Sequence, residues 1–222
     1  MTITQNIDNF MQKIYNNQNH RYTSWEICYK AFGDININDE VKALHLAGYL
    51  ASWGMYRGSS NLLRENNYMI FNKLVPILNE YMDLRKDFLE ENDYDRFLNF
   101  VKRIKESLEK KNITSTNTLT TKIILGVYGC FPALDDYFKK GFNSYNNIKI
   151  SINQKKTFKN FYNNLKNFYF ANKGAFETKK QEIKANRSIN YPPMKLVDMY
   201  FWEYGNMLKE LEKIKKRLEN ES

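Results

Sequence analysis

Two adjacent carboxylates, Asp135 and Asp136, follow the turn residues Gly129 and Pro132 at the foot of an apolar run, and Lys139 and Lys140 lie about one helical turn further on. A helix N-terminus stabilises an anionic carboxylate. A carboxylate held there beside a basic surface can stabilise a cation developing on a nucleic-acid sugar, or orient a water for attack. The competing reading is that one of the two simply caps the helix. Lys122, on the apolar run leading into the turn, joins Lys139 and Lys140 as a candidate phosphate ligand.

Other groups offer weaker chemistry. Arg57-Gly58-Ser59-Ser60-Asn61 sets an arginine before a glycine break and small hydroxyl residues, a pattern suited to a phosphate or carboxylate but equally to an ordinary stop and cap. It lacks the GxxxxGK[ST] spacing of a phosphate-binding loop. Glu26 beside Trp25 is a general acid or base if buried, although a structural ion pair is the commoner fate. His20 and His45 belong to no nucleophile motif, and neither has an arginine four to six residues before it, which disfavours the small helical ribonucleases. Cys28 and Cys130 make no disulfide framework, and no CxxC or HxxxH spacing exists to hold zinc. We therefore expect no metal and no cofactor, an inert Cys130 thiol, and a reducing, cytoplasmic setting.

The elements that position these groups read as helices. Glycine and proline are sparse, and apolar residues recur at i, i+3, i+4 spacing. The spacing predicts helices over 3–15 (Ile7, Phe10, Met11 and Ile14 on one stripe), from a Thr23 or Ser24 cap through Trp25, Ile27, Cys28 and Phe32, and from an Asn38 or Asp39 cap to the Gly58 break. The last of these carries Val41, Leu44, Ala47, Leu50 and Met55 and reads as a core helix. Further helices are predicted over 68–81, 94–108, 118–128, 135–142 and 157–170, with a polar loop over 110–117 and a brief strand-like alternation over 148–152. A tail helix from Met194 aligns Met207, Leu211, Ile214 and Leu218, a stripe that offers a surface for a homodimer or another protein, to be lost on truncation after Tyr204. The expectation is an all-α protein of about eight to ten helices in a single domain spanning 1–222. The start MTITQNIDNF lacks the layout of a signal peptide, and no run approaches a membrane span, so no membrane partner is expected.

Charge is uneven along the chain. Residues 139–195 hold 13 Lys and Arg against only Glu177 and Glu182, so this part carries the whole net excess of +9, the rest being close to neutral. Phe142, Tyr145, Phe158, Phe161, Tyr162, Phe168, Tyr169 and Phe170 are interleaved with it. Lysines such as Lys139, Lys140, Lys155 and Lys156 make phosphate contacts through counterion release, so DNA is the expected partner. The aromatic residues, at core-like helical spacing, read as core rather than as stacking platforms.

The run from Thr118 to Phe142 resembles the second half of the helix-hairpin-helix DNA glycosylase motif. Aligned without gaps, Thr118 falls on that superfamily's helix-start threonine, Phe131-Pro132-Ala133-Leu134-Asp135 on the element ending in its catalytic aspartate, and Phe138 and Lys140 on the apolar and basic positions beyond. The resemblance implies a two-lobed helical fold, with Asp135 catalytic and Asp136 its neighbour in the turn. It also implies base flipping, with Asp135 stabilising an oxocarbenium-like sugar and orienting water. Asn117 occupies the position that is lysine in strand-cleaving members, so the implied enzyme is a monofunctional N-glycosylase. The hairpin's Gly-x-Gly has no counterpart in Ile113-Thr114-Ser115-Thr116-Asn117, which leaves the basic 139–195 region and Arg57 to anchor DNA. A flipped base needs a stacking pocket, for which Trp25, Trp53 and Tyr56 are the candidates. Core packing is the competing reading for these, weighing more on Trp53 than on Trp25. A non-enzymatic nucleic-acid-binding protein is the alternative function.

Overall fold

The computed structural model describes residues 2–56, 62 and 66–220, and among these it contains α-helices and 3-10 turns but no strand. Ten α-helices follow in order: α1 (Ile3–Asn16), α2 (Thr23–Gly33), α3 (Asp39–Ser52), α4 (Val75–Asn79), α5 (Tyr94–Glu109), α6 (Asn117–Val127), α7 (Asp136–Tyr145), α8 (Lys155–Ala171), α9 (Lys173–Arg187) and α10 (Pro193–Asn220). No helix among the described residues is long and apolar enough to cross a membrane.

Local chemistry explains several boundaries. Thr2 and Gln5 close a reciprocal capping box on α1, whose buried face includes the Ile7, Phe10, Met11 and Ile14 stripe. Asn38 Oδ1 accepts from Val41 N to start α3, and Thr116 Oγ1 accepts from Leu119 N to start α6. The N-terminus of α2 departs from the expected cap. Thr23 and Ser24 turn their hydroxyls back onto the His20 and Arg21 carbonyls instead, and no side chain caps the helix.

Several elements differ from their sequence patterns. Helix α3 stops at Ser52, and Val41 and Leu44 lie on its exposed side while Ala43, Leu46, Ala47, Tyr49 and Leu50 are buried. Ile27 of α2 is likewise exposed. The 68–81 segment is a 3-10 turn followed by the short α4, because Pro76 fits only the first turn of a helix. Residues 148–152 form no strand, having nothing to pair with. Helix α9 is mostly polar, and Phe176 and Ile183 are its only buried residues.

The first half of α10, from Met194 to Gly205, is the central post of the core, with α1, α7, α8 and α9 packed around it. Its approach to α7 is backbone on backbone. A Cβ on Gly205 would lie 1.8 Å from the Tyr137 carbonyl oxygen, and one on Gly141 would lie 2.1 Å from the Phe201 carbonyl oxygen. We expect Gly205→Ala to destabilise the protein by about 3 kcal/mol, because rigid helix backbones must part to admit the methyl. By contrast, a Cβ on Gly48 of α3 would meet no neighbouring atom within 4 Å, so Gly48→Ala is expected to stabilise by about 0.5–1 kcal/mol. Urea denaturation of both variants checks the opposite signs.

Candidate functional site

The loop from Tyr128 to Asp135 joins α6 to α7, and its backbone is pinned by side chains. Gly129 adopts a φ of 65°, and a Cβ there would meet Pro192 Cγ at 2.3 Å, so glycine is required on both counts. Tyr162 donates from its hydroxyl to the Cys130 carbonyl at 3.2 Å, and Asp198 Oδ1 accepts from Ala133 N at 3.0 Å. Thr121 Oγ1 accepts from Leu134 N at 2.8 Å, while Thr118 Oγ1 donates to the Leu134 carbonyl at 2.9 Å. Three of these anchors hold the residues immediately before Asp135.

Asp135 is the N-cap of α7. Its Oδ1 accepts from Tyr137 N at 3.1 Å and Phe138 N at 3.0 Å, and its Oδ2 accepts from Lys122 Nζ at 2.9 Å and Trp202 Nε1 at 3.2 Å. The capping reading is thus part of its role, and the remaining oxygen faces a buried ammonium. Asp136 is exposed in the first turn of α7.

Behind Asp135 lies a second pair that the sequence reading missed. Lys195 and Asp198, one turn apart on α10, form a 3.2 Å ion pair with side chains only 2% and 6% exposed. Burial pulls the Lys195 ammonium below its ordinary range and pushes the Asp198 carboxyl above its own. Both shifts also respond to Lys122 and Asp135, so the four charges act as one cluster. The signal was a lysine and an aspartate three residues apart within the otherwise apolar Pro193–Trp202 run.

Aromatic rings wall this cluster. Trp53 stacks on Tyr22 with centroids 5.1 Å apart, and Trp202 meets Trp53 edge-on at 5.7 Å and lies tilted to Tyr137 at 5.0 Å. Lys122 Nζ lies 4.7 Å and Lys195 Nζ 5.9 Å from the Trp53 ring centroid. Each ammonium has one carboxylate as its sole hydrogen-bond acceptor in the described structure, and the buried Trp53 Nε1 has none.

The three proposed stacking residues part company here. Trp25 is 1% exposed and donates from Nε1 to the Leu125 carbonyl at 2.9 Å, so it packs as core. Trp53 is only partly buried and touches the charge cluster, which reverses the expected order of the two tryptophans. Tyr56 is half-buried, its hydroxyl pushed up to about 12 by burial. Arg57, with the 57–61 motif, lies outside the described residues.

The basic stretch is not an open patch. Lys155 pairs with Asp95 at 2.6 Å, Lys159 with Glu91, Lys166 with Glu90 at 3.4 Å, and Lys180 with Asp87 at 3.4 Å. Lys179 pairs with Asp8 at 2.8 Å, Lys140 with Glu212, and Arg187 with Glu26 at 2.6 Å. Lys139, Lys149, Lys156, Lys173 and Lys184 form no ion pair among the described residues. The interleaved aromatics are mostly core, as read, although Tyr145 and Phe170 are exposed.

Glu26 is buried with Arg187 and accepts from the Tyr191 hydroxyl at 2.8 Å, a structural network rather than an acid–base pair. Both cysteines are free and fully buried, with the Cys130 thiol pushed up to about 12 by burial. No group of three metal-ligating side chains exists among the described residues. Asn117 opens α6, and its Oδ1 accepts from Lys105 at 2.7 Å.

Comparison of the chain with family models, with curated proteins and with solved structures finds no match in any of the three.

Replacing each member of the buried pair tests the cluster. Asp198→Ala leaves Lys195 without a counter-ion and Ala133 N without an acceptor, and is expected to cost about 3–5 kcal/mol. Lys195→Met is expected to cost less, because the Asp198 carboxyl can take up a proton. A carboxyl with a raised folded-state pKa contributes stability below its ordinary value of 3.8 and loses it as pH rises through the raised value. The penalty of Lys195→Met therefore grows from pH 4 to pH 8 in urea denaturation.

Proposed function

We propose that the chain acts on DNA as a monofunctional N-glycosylase with Asp135 as its catalytic carboxylate. The observation that carries this reading is the position of Asp135 in the charge cluster. Its side chain is 14% exposed, against 4% for Lys122, 2% for Lys195 and 6% for Asp198, so it is the member nearest solvent. Buried ion pairs are a poor way to gain stability, and a chain that keeps two of them under an aromatic wall points to function.

On this reading the carboxylate charge faces the sugar of a flipped nucleotide and lowers the energy of the cation that forms as the N-glycosidic bond breaks. Water then adds to the sugar, giving an abasic site and the free base. Trp53, Tyr56 and Tyr137 supply stacking faces. The unfilled donors of Lys122, Lys195 and Trp53 Nε1 suit the ring and carbonyl acceptors of a base. Lys139, one turn along α7 from Asp135, and Lys156, at the start of α8, are cations free to meet backbone phosphates. Asp136, exposed beside the catalytic group, orients water or repels misplaced phosphate.

The test measures abasic sites, revealed as alkali-induced breaks, on a panel of DNAs that includes phage DNAs with modified bases. Asp135→Asn keeps the capping oxygen, since asparagine is as good an N-cap as aspartate, but removes the charge. Wild type is expected to give breaks only after alkali, and Asp135→Asn to be slower by about 10²-fold or more. Base release by Asp135→Asn at the wild-type rate overturns the proposal. Salt-dependent DNA retention by both proteins without any breaks favours a binding protein instead, and Lys139→Glu with Lys156→Glu then abolishes retention.

A further inference from the structure

The second half of α10 leaves the body of the protein. Every residue from 210 to 220 is exposed, including Leu211, Ile214 and Leu218, which are 54%, 52% and 63% exposed. With Met207 they repeat at intervals of four, three and four residues, the a and d positions of a coiled-coil seam. Only a few contacts tie this half to the body, among them the Lys140–Glu212 pair and Lys209 Nζ, 4.5 Å above the Tyr137 ring.

We propose that this seam pairs with the same seam of a second copy, antiparallel and about a two-fold axis. Setting Leu211 opposite Ile214 of the second chain makes Met207 face Leu218, so four apolar layers close with no residue left over. In that register Glu210 flanks Arg217 of the second chain, once on each side of the axis, and no like charges meet across these flanks. Glu210 pairs within its own chain with Lys213 at 2.7 Å, but both side chains are more than half exposed, so exchanging partners costs little. Antiparallel dipoles attract. The direction also keeps the two bodies at opposite ends of the seam, whereas a parallel pair would press them together beside α7. The seam is short, so the dimer is in the micromolar range and exchanges readily.

Two single variants, Met207→Cys and Leu218→Cys, test occupant and direction together. The native thiols are fully buried, so an engineered cysteine is the reactive one. Antiparallel pairing predicts a disulfide-linked dimer from an oxidised mixture of the two variants and none from either alone, because like positions stand about 16 Å apart along the axis. Sedimentation of the unmodified protein is expected to show a concentration-dependent dimer, and Leu211→Lys with Ile214→Lys to weaken it at least about tenfold without lowering the melting temperature. Crosslinking of either variant with itself, a monomer at the highest attainable concentration, or binding of the stripe to anionic phospholipid vesicles by a chain that stays monomeric overturns the proposal. The glycosylase assay is independent of all these outcomes.

Discussion

The contact on which the rest of the structure depends is the glycine crossing of α7 and α10. With Gly141 and Gly205 face to face, the Tyr137 carbonyl sits where a side chain of α10 would otherwise stand. That closeness brings Trp202 Nε1 to within 3.2 Å of Asp135 Oδ2 and the tilted Tyr137 ring to within 5.0 Å of the Trp202 indole, centroid to centroid. It also carries Asp198, one turn earlier on α10, against the loop amide of Ala133. A methyl group at either glycine would separate the helices by more than a hydrogen bond can stretch. The cap of α7, the course of the loop and the buried charge cluster are therefore consequences of one helix crossing.

The cluster is not built to maximise stability, since at Lys195 and Asp198 burial outweighs pairing and disfavours the charged forms. Burying an ion is expensive unless it is paired and hydrogen-bonded. Here the two lysines are paired with two aspartates, Asp135 accepts four hydrogen bonds, and the ammonium groups gain further from the Trp53 face. Lys122 Nζ lies 4.7 Å from the Trp53 ring centroid, whereas Lys195 Nζ lies nearer Phe10, at 4.9 Å, and Trp25, at 5.2 Å.

Much of this was legible from residue types. Asn38 capped its helix as read, the α1 stripe was buried as read, and the Gly129–Asp135 turn delivered Asp135 to a helix start. What escaped was set by tertiary contacts. Lys195 and Asp198 look like ordinary surface charges until α10 becomes the central post of the core, and Trp25 looks available until α6 offers it a carbonyl. Thr23 and Ser24 have the composition of caps, but their hydroxyls found carbonyl acceptors in the preceding turn. The 68–81 pattern had the right period, and Pro76 divided it.

Charge shows the same limit most clearly. A stretch with 13 cations and two acids suggests a basic face when read along the chain, yet folding brings to it Asp8, Glu26, Asp87, Glu90, Glu91 and Asp95 from the nearly neutral first part. Net charge is conserved on folding, but its location is not. Apart from the pair of Arg187 with the buried Glu26, such surface pairs add little stability each. Their larger effect is on the field, since each paired lysine is screened at short range while the overall excess still attracts a polyanion from a distance. On the proposed DNA-acting reading, guidance by that diffuse excess and contact by the few unpaired lysines are separable, with the first weakening as salt is added and the second setting where a phosphate backbone would lie relative to Asp135.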